Sequence, residues 1–213
     1  MNTTRALFLE SCNDVLTALG DQRIADAWGE PSVLEEQTVG SVAAHVGRNC
    51  WIALHYLDGG VPTAPVDYDT AAAYFANLLD AATPELHAGI RQRGAEGAEA
   101  GPAVVHQQLA DELTTLKDRL ADEPEDRLVT VFGGKVMALD DYLESRIVEQ
   151  VVHLDDLSRS VGGEPFPVTP AAEELVIACG ADIGRRRFGG TAVVRVLFRD
   201  GANSGDSMPF PVL

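Results

Sequence analysis

The stretch 139–161, LDDYLESRIVEQVVHLDDLSRSV, limits what this chain can fold into more than any other. It holds no glycine or proline, and Leu143, Ile147, Val151, Leu154 and Leu157 recur within it at helical spacing. Glu149 and His153 stand four residues apart beside that apolar run. On a helix they stack on one face, close enough to grip a single metal ion. Asp141 and Glu144 have the spacing of a capping box, which predicts a helix start near Asp140. Gly162, Gly163 and Pro165 predict its end. The β-branched residues Ile147, Val148, Val151 and Val152 would also suit a buried strand, but the length of the unbroken period favours the helix.

A chain of 213 residues, 46% of them hydrophobic, can bury one good-sized core or a domain with a small appendage. Its net charge of −17 lacks the basic footprint that nucleic acid or an anionic membrane requires, so both are excluded as partners. No run is long enough to cross a bilayer. Glu10 and Asp14 stand where a signal peptide would be apolar. Cys12, Cys50 and Cys179 lie far apart with no C-x-x-C pair, which reads as reduced thiols in a cytoplasmic protein.

Periodicity predicts further helices over 3–19, 38–57 with Thr38 as N-cap, 69–93, 103–121 and 171–184. Residues 21–36 read as loop and 94–102 as a small, flexible connection. Residues 127–137 predict a hairpin with a two-residue turn at Gly133 and Gly134. The segment 193–198 suits either helix or strand, and from Gly201 the chain looks loose. The expected fold class is all-α: an up-down four-helix bundle of 3–19, 38–57, 69–93 and 139–161, with a short hairpin before the last bundle helix. The helix 103–121 would lie outside it or in the connection. Residues 1–163 would form the bundle domain and 164–213 a short C-terminal extension.

Two ligands do not make a metal site, so a third must come from another helix. The other histidines are His45, His55, His87 and His106. His45 shares a half-apolar helix face with Val42, Asn49 and Ile52, where an imidazole needs a partner. A His–Glu–His set with open positions belongs to catalytic zinc chemistry. Spacing alone leaves plainer readings open: Glu149 and His153 as a surface ion pair, His45 as a hydrogen-bonded core residue, and Cys50 as core. Arg185, Arg186 and Arg187 read as the cationic end of a helix.

The segments TVGSVAAHVGRN (38–49) and RIVEQVVHLDDL (146–157) resemble two motifs of the mycothiol-dependent maleylpyruvate isomerases and the wider DinB-like metal-binding bundles. The resemblance spans about residues 3–161. It implies that His45, Glu149 and His153 are the ligands of zinc or another divalent metal, with mycothiol as cosubstrate. The partners it implies are a low-molecular-weight thiol and a small-molecule electrophile, with a homodimer left open. The implied chemistry is attack of the activated thiol on an electrophilic carbon, ending in isomerisation or S-transfer. The tail FGGTAVVRVLFRD (188–200) is similar to the short C-terminal segment of uncharacterised relatives. In the characterised isomerase a longer second domain supplies a functional arginine, a role for which Arg195 is the candidate here. Arg48 or Arg195 would hold a substrate carboxylate, while Arg146 and Asp156 would orient ligands. Two other readings compete: a hydrolase using zinc-bound water, and a non-catalytic bundle whose shell is closed by a fourth protein ligand.

Overall fold

The computed structural model describes residues 2–199, which are mostly helical. In chain order they form α1 (Thr3–Leu19), α2 (Gln22–Asp26), α3 (Val39–Asp58), α4 (Ala71–Asp80), α5 (Pro84–Ala98) and α6 (Pro102–Asp122). The strands β1 (Leu128–Val131) and β2 (Lys135–Ala138) follow, and then α7 (Leu139–Val161), α8 (Pro170–Phe188) and α9 (Gly190–Phe198). Side chains start several helices by accepting orphan backbone N–H groups. Asn2 caps α1 at Arg5 N (3.0 Å), Thr38 caps α3 at Ser41 N (3.1 Å) and Thr83 caps α5 at Leu86 N (3.2 Å).

α1 packs on α6 and α7, and α3 packs on the same two helices. Their shared core holds Phe8 and Val15 from α1, Val46 and Ala53 from α3, Leu109 and Leu116 from α6, and Leu143, Ile147 and Leu154 from α7. Each of these side chains larger than alanine contributes about 1.5–3 kcal/mol by leaving water. Burial of Ile147 and Val148 also explains why the β-branched run in α7 is helix: packing outweighs a propensity difference of about 0.5 kcal/mol per residue.

Several expectations are corrected. The predicted helix 69–93 is two helices, because Pro84 lacks a backbone N–H and starts a new one behind Thr83. The helix predicted at 103–121, α6, belongs to the core rather than outside it: Leu109, Leu116 and Leu120 are fully buried. Residues 94–102 are not simply a flexible connection, since α5 runs to Ala98 and uses its glycines to approach α3. A Cβ on Gly94 would stand 2.9 Å from Ser41 O, and one on Gly97 would stand 3.1 Å from Ala44 Cβ. The region read as loop contains α2, capped by Asp21 at Arg23 N (2.8 Å).

The hairpin pairs Val131 with Lys135, so its turn has three residues, Phe132–Gly134, with both glycines at positive φ. Leu139 is already helical, and its N–H bonds Arg127 O (2.8 Å), so no capping box forms. Asp140 is occupied by the buried Arg5 instead (2.8 Å). The segment 193–198 is helix, in α9. In the region read as a C-terminal extension, α8 packs on α4, α7 and α1, and the stretch from Gly201 lies outside the described residues. None of the described helices is long and apolar enough to cross a membrane.

Candidate metal centre

α3 and α7 run antiparallel along a seam of polar side chains. On α3 the seam carries His45, Asn49 and Tyr56; on α7 it carries His153, Glu149, Arg146 and Tyr142. Spacings of four and seven residues on α3, and of three and four on α7, put each set on one helix face. Contacts across the seam follow in order. His45 Nε2 lies 3.4 Å from Glu149 Oε2, Arg146 Nη1 donates to Asn49 Oδ1 at 2.6 Å, and the rings of Tyr56 and Tyr142 meet edge-on at 5.2 Å.

The first layer is the candidate centre. His153 Nε2 is also 3.4 Å from Glu149 Oε2, and the rings of His45 and His153 stand perpendicular at 4.9 Å. One donor atom from each of the three residues lies within 4.8 Å of the other two. Ligands about 2.0–2.1 Å from a tetrahedral ion are about 3.3–3.4 Å apart, so both His–Glu spacings fit a shared ion. The three side chains retain about a fifth of their surface, 23%, 21% and 18% for His45, Glu149 and His153, so one side of the set faces solvent. His153 Nδ1 lies 2.9 Å from Asp156 Oδ2, which fixes the ring and directs Nε2 towards Glu149.

The charges are arranged to suit a cation. Burial works to raise the Glu149 carboxyl, yet hydrogen bonds from His153 and His45 and the charge of Arg146 hold it well below the usual carboxylate range. Burial holds His45 below its ordinary value, and neighbouring His153 adds to the effect, so it is neutral near pH 7. Burial depresses His153 as well, but Asp156 and Glu149 outweigh it and raise its pKa to about 9. The proton on His153 therefore occupies the place a metal ion would take.

The structure brings together His45, Glu149, His153, Asp156 and Arg146, and it leaves two sequence candidates elsewhere. Arg48 is exposed and lines a concavity of about 380 Å³ with Trp51, His55, Asp58 and Glu112, which includes none of the three candidate ligands. Arg195 is exposed on α9, which packs on α8. His55 and His87 are exposed and His106 is half-buried; none joins the set. Sequence reasoning did not single out Tyr142 and Tyr56 as seam residues, although Tyr142 lies four residues before Arg146 and Tyr56 seven after Asn49, both helical repeats. Gln150 was missed too: it is fully buried, and its Nε2 lies 3.3 Å from Cys12 Sγ and 3.5 Å from Cys50 Sγ.

Fold and site together define a helical protein with an open His–Glu–His candidate metal centre set in the seam between two core helices. The family model of the mycothiol maleylpyruvate isomerase N-terminal domain matches residues 8–158, and the chain belongs to that family. No curated protein and no solved structure matches it.

Proposed function

We propose that this chain is a metal-dependent thiol enzyme. In this reading His45, Glu149 and His153 hold one divalent ion, zinc, and mycothiol or a similar low-molecular-weight thiol is the cosubstrate. The observation that carries it is the convergence of three donors at ion-sharing distances, with one side open to solvent. Bound there, zinc would supply the positive charge that lowers a thiol pKa enough for thiolate to form at neutral pH.

The chain's own residues do the rest. Asp156 holds the tautomer of His153, and Glu149 contributes the one carboxylate of the set. The thiolate sulfur adds to an electrophilic carbon of the second substrate, forming an S–C bond. The addition opens a conjugated carbon–carbon double bond and moves its π pair onto the activating carbonyl. After rotation the pair returns, the S–C bond breaks and the thiolate leaves, releasing the isomer. Protonation of the adduct carbon by water instead keeps the S–C bond and gives S-transfer. A non-catalytic closed shell would need a fourth ligand, and among the described residues the set has three. We read the packing of α1, α3, α6 and α7 as the family's DinB-like four-helix bundle, and the protein as cytoplasmic. Arg195, from the family resemblance, and Arg48, from the bidentate pairing of guanidinium with carboxylate, stay proposed as substrate-carboxylate residues.

The test is metal analysis of the purified protein with a thermal-shift screen of mycothiol and other small thiols. Zinc-loaded protein should be stabilised by mycothiol, and metal-stripped protein should not. Equal shifts in both preparations, or no bound metal at all, would contradict the reading.

A further inference from the structure

Acidic residues outnumber basic ones 33 to 16 in this chain. Most arginines of the described residues accordingly have a carboxylate within ion-pair distance. Arg91 meets Glu36 at 3.0 Å and Arg119 meets Asp58 at 2.8 Å. Arg48 is an exception: among the described residues its guanidinium has neither an ion pair nor a hydrogen bond. Yet it lines the concavity of about 380 Å³ together with two acids, Asp58 and Glu112. Arg119 occupies Asp58. The Glu112 carboxylate is half-buried on α6 and, like Arg48, has no partner among the described residues.

One concavity thus holds an unpaired cation from α3 and an unpaired, partly desolvated anion from α6, which do not reach each other. Its lining also includes Ile52, which is buried, and Leu54 and Trp51, which are half-buried. Gly47 lets the Trp51 ring lie along α3, since a Cβ there would stand 3.2 Å from Trp51 Cζ3. A plain anion drawn to Arg48 would meet the repulsion of Glu112, and a plain cation drawn to Glu112 would meet that of Arg48. A ligand that carries both charges satisfies the two side chains at once. The half-burial of Glu112 makes that gain larger than for a fully exposed pair.

We propose that this concavity is a binding site for a small zwitterion of the aromatic amino-acid type. Its carboxylate pairs with Arg48, its ammonium with Glu112, and its ring packs against Trp51. A guanidinium edge holds a carboxylate through two parallel hydrogen bonds, which gives direction as well as attraction. Trp51 supplies an aromatic surface for the ring, with Ile52 and Leu54 as apolar neighbours. A volume of about 380 Å³ lies at the small end of ligand pockets, which suits a single amino acid rather than a peptide. None of His45, Glu149 and His153 lines the concavity, so the site does not depend on what the candidate centre holds. The carboxylate that Arg48 receives here belongs to a ligand other than the one held at the ion.

Calorimetric titration of the full chain with L-phenylalanine, N-acetylphenylalanine and phenethylamine tests this; the second lacks the ammonium and the third the carboxylate. L-Phenylalanine should bind about tenfold or more tightly than either, and L-alanine, without the ring, more weakly than L-phenylalanine. In Arg48→Gln, shown to be folded by circular dichroism, the advantage over phenethylamine should vanish, while Arg48→Lys keeps part of it. In Glu112→Gln the advantage over N-acetylphenylalanine should vanish. L-Phenylalanine should bind equally to zinc-loaded and zinc-free protein. Such binding in a chain that takes up no zinc would uphold this site and overturn the thiol reading. An affinity that requires zinc would place Arg48 with the candidate centre and overturn the proposal. No binding of L-phenylalanine, equal affinity for all three compounds, or an unchanged preference in both Arg48→Gln and Glu112→Gln would overturn it as well.

Discussion

His153 is the residue on which the candidate centre turns. One ring nitrogen faces Asp156 and the other faces Glu149, at 2.9 and 3.4 Å. Removing the Asp156 charge should loosen that ring without deleting a ligand. Asp156→Asn is expected to weaken metal binding by about 10–100-fold, measured by competition with a chelating dye, with little change in the fold. Proton linkage gives a second expectation. His153 titrates near pH 9 in metal-free protein, whereas His45 is held neutral and Glu149 ionised. Metal uptake at pH 7–8 should therefore release about one proton, and affinity should rise about tenfold per pH unit until it levels near pH 9. Calorimetry in buffers of different ionisation enthalpy measures the count; a count of zero would mean that His153 is not displaced. The E-x-x-x-H spacing and the His45 motif made this set legible in the sequence. Spacing does not say where a side chain opens: Arg48, three residues on from His45, lines a concavity that includes none of the three candidate ligands.

At the scale of elements, α3 is the piece whose position matters most, because it delivers His45 to two ligands on α7. α5 braces it through Gly94, where even a Cβ would press on the Ser41 carbonyl at 2.9 Å. Gly94→Ala gains helix propensity of about 1 kcal/mol but overpacks a backbone contact costing about 1–3 kcal/mol. The expected net change is a loss of about 1 kcal/mol in urea unfolding, with weaker metal binding as α3 shifts. Periodicity revealed α1, α3 and α7 with their lengths nearly right. It did not reveal that Pro84 divides the third helix, nor that α6 belongs to the core. Leu109, Leu113, Leu116 and Leu120 make an apolar stripe on α6 that any amphipathic helix could show. Which stripe becomes core depends on partners far away in the sequence. Gly94 and Gly97 misled for a related reason, because glycine marks a loop and a close helix contact alike.

For the whole molecule, the charge of −17 sets the long-range field. The protein should give no mobility shift with duplex DNA at physiological salt, and a salt-dependent shift at low micromolar protein would contradict that. The same acidic field favours cations near the surface, yet only the α3–α7 seam offers three ligating groups at shared-ion distances among the described residues. Metal should stabilise the fold as a whole, since α3 and α7 are both core helices and binding would tie them together. The most direct test of the account is the metal content of purified wild type, His45→Ala and His55→Ala protein, each shown to be folded by circular dichroism. Wild type and His55→Ala should each hold about one equivalent of zinc per chain, and His45→Ala should hold almost none. A full equivalent of zinc in folded His45→Ala would contradict the account.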